Sequence, residues 1–114
     1  MIYEQKDFNH LLGTKGFSDT LLTNHFSLYG GYVKNVNTII ELLKTVKANS
    51  PEYNELKRRF GWEWNGMKMH ELYFANFSRE VQSPNIESKL YKDIVNQWGS
   101  YEAWLADFIA TGLI

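Results

Sequence analysis

The sequence predicts an all-α protein, a long antiparallel helical hairpin followed by two shorter helices. Three observations carry that expectation. Residues 18–49 hold one apolar stripe at helical spacing, and residues 51–78 hold further apolar positions at the same period. Serines stand where helices should begin, at Ser18, Ser50 and Ser100. The expected division is a helical-hairpin domain over 1–80 and the helical start of a truncated second domain over 81–114.

The first helix is expected from Ser18, as N-cap, to Asn49, with Asp19 in the first turn favoured by the helix dipole. At about 100° per residue, Leu22, Tyr29, Tyr32, Val36, Ile40 and Leu43 all fall within about 60° of His25. An imidazole and two phenols in the middle of an apolar face need partners, either ordinary hydrogen bonds or a metal. Gly30 and Gly31 lie off that stripe and suggest close approach of another element, or a kink. Residues 1–17 form a turn-punctuated lead-in, where His10 is a surface or capping residue.

Ser50, Pro51 and Glu52 have the N-cap, first-position and first-turn chemistry of a new helix. A short helix is expected up to Phe60-Gly61, then a bend, then a further helix to Ser78. Taking His70 as the reference, Glu63, Gly66, Met67, Tyr73, Phe74 and Phe77 lie within about 60° of it. Each long segment therefore centres a histidine on its inward face. Ser78–Asn85, with Pro84, is a linker. Residues 86–98 repeat Ile86, Leu90, Ile94 and Trp98 at helical spacing, and Gly99 suits the residue after a helix. Ser100 caps a last helix ended by Gly112. Leu113-Ile114 is apolar, where a strand could begin.

Composition narrows the function classes. The 114 residues carry a net charge of −1, so nothing calls for nucleic acid or an anionic membrane. Lys57-Arg58-Arg59 reads as a solvated helix end. There is no cysteine, which removes disulfides and thiolate ligands. No apolar run reaches the roughly 18 residues of a membrane span and no signal-peptide core is present, so the expected location is the cytoplasm. Aromatic residues make up 16% of the chain, suited to aromatic-lined pockets and interfaces.

Phosphate-cradling and dinucleotide motifs are absent. His70-Glu71 begins like a zinc-protease HExxH, but Phe74 holds the second histidine's position. What survives is His25 with Tyr32 on the first helix and His70 with Tyr73, Phe74 and Gly66 on the second. Antiparallel helices 8–10 Å apart can bring two such histidines to one metal, and imidazole suits iron, manganese, copper or zinc. Two satisfied core histidines remain the competing interpretation.

Three passages, LLGTKGFSDTLLTNHFSLYGGYVKNVN, FGWEWNGMKMHELYFANFS and QWGSYEAWLADFIATG, resemble the iron/manganese superoxide dismutase family, in its order. The first resembles the helix in which a liganding histidine precedes a Y-V-x-N-x-N pattern. The second resembles the N-H-x-x-F/Y-W/F motif. The third resembles the helix opening the family's second domain. The resemblance implies His70 as one metal ligand and Tyr32 as the tyrosine that gates substrate access and helps deliver protons. A spacing of eight residues, common in the family, would point to Asn24. Seven residues make two helical turns, so His25 shares the face of Tyr32, and His25 is the expected ligand. A spacing of eight would need a bulged residue. Gly66 resembles the manganese-type pattern, where many iron-type members have glutamine.

The family's other two ligands lie in a D-x-W-E-H segment, and residues 1–114 contain none. The implied cofactor is thus one ion of iron or manganese in a site incomplete within one chain. The expected activity is superoxide dismutation once another chain supplies the missing ligands. The alternative is a non-catalytic, oligomerising or partner-binding helical module, possibly holding a metal shared between copies. Expected partners are superoxide and either a second copy or a separate chain bearing the second domain.

Overall fold

The computed structural model describes residues 3–80 and 82–114; Met1 and Ile2 of the lead-in and Val81 of the linker lie outside the described residues. Among the described residues all regular structure is helical. A 3-10 turn at Asn9–Leu11 precedes α1 (Asp19–Leu43), α2 (Pro51–Ala75), α3 (Lys89–Trp98) and α4 (Tyr101–Gly112). The chain divides into two compact units, Met1–Arg79 and Glu80–Ile114.

Each α-helix starts on a serine whose hydroxyl oxygen accepts an orphan N–H three residues on. Ser18 accepts from Leu21, Ser50 from Tyr53, Ser88 from Tyr91 and Ser100 from Ala103, at 3.0–3.2 Å. Ser88 explains why α3 begins at Lys89 and not at Ile86: the cap outranks the apolar repeat. Gly99 stops α3 with φ 84°, and its N–H returns to the Val95 carbonyl at 2.8 Å.

Two other boundaries differ from expectation. The first helix ends at Leu43, six residues before Asn49. Asn49 takes φ 64°, a left-handed residue that turns the chain into the Ser50 cap. No bend interrupts the second segment at Phe60-Gly61, and α2 runs unbroken for 25 residues. One helical glycine weakens a helix by about 1 kcal/mol, and no proline is there to break it. Lys57-Arg58-Arg59 accordingly lies within a helix rather than at its end, though all three residues are exposed. Leu113 and Ile114 follow α4 without forming a strand.

Helices α1 and α2 pack as the hairpin, around Tyr29, Val33, Val36, Met67 and Phe74. The buried side of α1 is rotated from the predicted stripe toward Val33 and Ile39, leaving His25, Tyr32, Ile40 and Leu43 half-buried. The lead-in is the cause, because it covers that side. Phe8 and Leu11 complete the core. Asn37 grips the Tyr3 backbone from both ends, its Oδ1 accepting from N–H and its Nδ2 donating to C=O, each at 2.8 Å. Gly30 is the close approach of this strap, since a Cβ there would run into the Gln5 amide; Gly31 has open space. The Arg79 guanidinium closes the unit on the His10 and Leu12 carbonyls.

The second unit is a short helix pair in which Tyr91 stacks on Tyr101 at 5.3 Å between centroids, 14° from parallel. Trp104 and Phe108 continue the aromatic row. None of its described residues is buried.

Candidate functional site

The site sits where the inward faces of α1 and α2 meet. His25 and His70 stand edge to face, 4.8 Å apart between ring centroids and 84° from parallel. Tyr73 and Phe74 lie 5.4 and 5.0 Å from His25, and Tyr32 lies 5.1 Å from His70. Helix α1 is regular through this stretch, so the seven-residue interval puts His25 and Tyr32 on one side, while Asn24 is exposed. An open cavity of about 270 Å³ is lined by His25, Met69, His70 and Tyr73.

His70 has a defined tautomer. Its Nδ1 lies 2.6 Å from the carbonyl oxygen of Gly66. A carbonyl only accepts, so Nδ1 carries the hydrogen and the Nε2 lone pair is left for another partner. Burial, and then the proximity of His70, hold the His25 imidazole below its ordinary value of 6.5, favouring the neutral, ligand-competent ring.

Gly66 does a second task. A Cβ built there would fall 2.9 Å from Cγ of Tyr32, and nearer still to Cδ1 and Cε1. Only glycine lets the phenol ring lie against the α2 backbone one turn before His70.

Of the two phenols on α1, Tyr29 has found ordinary hydrogen bonds. It is fully buried, accepts from the Lys6 N–H at 3.1 Å and donates to Glu71 Oε1 at 3.2 Å. Burial is the main cause that raises its pKa. Glu71, left over from the failed HExxH comparison, also accepts from Lys6 and Lys68 at 2.9 and 3.1 Å. Burial alone would raise its carboxyl, but the two ammonium groups outweigh that and hold it below 4.5. Glu63, 1% exposed, is likewise occupied, by Asn35 at 3.0 Å and Arg59 at 2.6 Å. The two asparagines of the Y-V-x-N-x-N stretch thus anchor Glu63 and Tyr3. Sequence inspection singled out neither the Lys6–Glu71–Tyr29 link nor Met69. Lys6 comes from an irregular segment without periodicity, and Met69 lies about 100° from the His70 stripe.

These shifts set a pH dependence. His25 is lowered on folding, so the unfolded chain binds more protons just below pH 6.5. Its contribution is complete above that value, starts to fall as pH drops below it, and is lost as pH falls through the lower folded value. Glu71, also lowered, contributes above 4.5 and is lost at lower pH. Denaturant midpoints measured from pH 8 to 3 should fall in two steps, and His25→Gln should flatten the upper step only.

Two imidazoles can share an ion at this spacing. The ring centroids are 4.8 Å apart, close enough that both imidazoles would reach one ion, to which each would supply a neutral nitrogen donor. The two rings would supply two of the ligands of a mononuclear centre. Among the described residues no group of three or more His, Cys, Asp or Glu side chains converges to complete one.

Regular helices that bring a histidine pair and a tyrosine to one aromatic-walled cavity define an all-α scaffold with half of a candidate metal centre. Comparison with known proteins points the same way. The chain is 32% identical to the iron superoxide dismutase of Cupriavidus metallidurans over an alignment of 117 positions covering 98% of this chain. It spans 58% of that relative's length. No protein-family model matches the chain, and no solved structure does.

Proposed function

We propose that residues 1–114 belong to the iron/manganese superoxide dismutase family and supply the helical half of such an enzyme, in the cytoplasm. In this proposal 1–80 is the hairpin domain and 81–114 opens the second. The observation that carries it is the His25–His70 pair, presented from two helices to one cavity. Both histidines are metal ligands, and further ligands come from polypeptide outside these residues. An iron or manganese ion in such a site supplies one-electron chemistry that converts superoxide to oxygen and hydrogen peroxide.

The chain's own residues set the conditions. The Gly66 carbonyl fixes His70 with Nε2 available, and Phe74 braces both imidazoles. Tyr32, held beside His70 by the space at Gly66, presents a hydroxyl that can hold and pass on a proton. Tyr73 and Phe74 place aromatic rings beside His25, and further polypeptide closing over them would exclude water.

The test is complementation. The purified chain is mixed with the part of the Cupriavidus metallidurans relative beyond the matched residues, in the presence of iron or manganese. The expected result is superoxide consumption and one ion per complex, both lost in His70→Ala. Tyr32→Phe should slow turnover while keeping the ion. Equal metal content in His70→Ala would sink the ligand assignment.

A second interpretation rests on a different observation. Leu21, Leu28, Trp62, Met69, Leu72 and Tyr73 are exposed on the hairpin, an apolar set that suits an interface. A stable oligomer without metal or activity in that mixture would favour the interaction module.

A further inference from the structure

The cavity between α1 and α2 contains a donor that the dismutase proposal does not use. Met69 lines it together with His25, His70 and Tyr73. In the motif that the second passage resembles, asparagine occupies this position, so the thioether is this chain's own. Met69 is 57% exposed, which leaves its flexible stem free to turn toward the imidazoles. Met67, two residues earlier, is completely buried.

Among the described residues no carboxylate lines the cavity. The nearest acidic side chains on α2 are engaged elsewhere, Glu63 with Asn35 and Arg59, and Glu71 with Lys6, Lys68 and Tyr29. The groups facing the cavity are therefore two imidazoles, one thioether and one phenol. Hard divalent ions such as manganese(II) prefer oxygen-rich sets, whereas thioether with imidazole is the donor chemistry of copper(I). The Met69 thioether lines the same cavity as the two imidazoles, so it would supply a third, soft donor beside the histidines.

We infer that the 114-residue chain by itself binds one copper(I) ion through His25, His70 and the Met69 sulfur. This goes beyond the dismutase proposal and does not depend on it, since no ligand from outside the chain is required. No electron transfer is involved, because the ion is already reduced and remains so.

The experiment is a titration of the whole chain with copper(I), oxygen-free and with bicinchoninate as competitor, alongside zinc(II) as the comparison ion. One copper(I) per chain is expected. Met69→Leu should weaken copper(I) at least tenfold and leave zinc(II) unchanged, and His70→Ala should weaken both by a hundredfold or more. Met69 is exposed, so its leucine variant is expected to fold. The unmodified protein gives an independent readout: the Met69 methyl resonance should shift on copper(I) addition while that of Met67 stays in place. Unchanged copper(I) affinity in Met69→Leu, a silent Met69 methyl, or one ion per two chains would each overturn the proposal. None of those outcomes bears on complementation, which tests a different ion with different partners.

Discussion

Replacing Phe74 by alanine should lower the stability of the hairpin by about 3–5 kcal/mol, the range for emptying a large buried aromatic site. Phe74 is 1% exposed and stands within 6.2 Å, centroid to centroid, of Phe8, His25, Phe26, Tyr29, His70, Tyr73 and Phe77. Every layer of the unit reaches it: the lead-in, α1 and α2. Domains of this size have a margin of about 5–15 kcal/mol, so the loss should be evident in a urea midpoint. Phe74→Leu retains most of the volume and should lose much less. The same change should loosen both imidazoles, so any metal affinity of the proposed site should fall in parallel with stability. A Phe74→Ala midpoint close to the parent's would show that the aromatic cluster does not hold the hairpin together.

The second prediction concerns a sign. Glycine to alanine inside a helix ordinarily adds about 1 kcal/mol of stability. At Gly66 the new methyl would have to occupy space held by the Tyr32 ring. A ring is rigid and its near carbons cannot retreat as the tip of a long side chain can. The expected outcome is a loss of about 1–3 kcal/mol, the usual scale of overpacking. Adding Tyr32→Ala should remove the conflict, so that Gly66→Ala becomes neutral or favourable in that background. Gly61, on the same helix with open space around it, is the control, where alanine should stabilise. A stabilising Gly66→Ala in the parent background would mean that Tyr32 is not packed against α2.

The histidines were legible in the sequence because each sits at the centre of a helical stripe, and helical arithmetic separated His25 from Asn24. The helix starts were legible because serine caps leave a local chemical sign. Gly66 stood out only as a motif position. Its physical role depends on a ring 34 residues earlier, which periodicity does not report. The run through Gly61 is not legible locally, because a lone glycine suggests a bend while the distant packing of Met67 and Phe74 holds α2 in line. The rotation of α1 toward Val33 escaped notice for a related reason: it is set by Phe8 and Leu11, residues with no repeat to announce them. Glu71 has no visible partner in the sequence once the HExxH comparison fails at Phe74, yet a buried carboxylate implies cations nearby, and these are Lys6 and Lys68.

The strap formed by Tyr3 to Phe8 has a consequence for the order of assembly during synthesis. It is fastened at successive levels, to Asn37 and Trp64 through Tyr3, to Tyr29 and Glu71 through Lys6, and to Phe74 through Phe8. The Lys6–Glu71 link spans 65 positions. At roughly 5–20 residues per second of translation, the strap waits about 3–13 seconds before its α2 partners exist. In that interval Phe8 and Leu11 are exposed apolar residues on a growing chain. The strap is therefore among the last parts of the hairpin unit to settle, and the histidine pair it braces from behind cannot take its final geometry until α2 is complete.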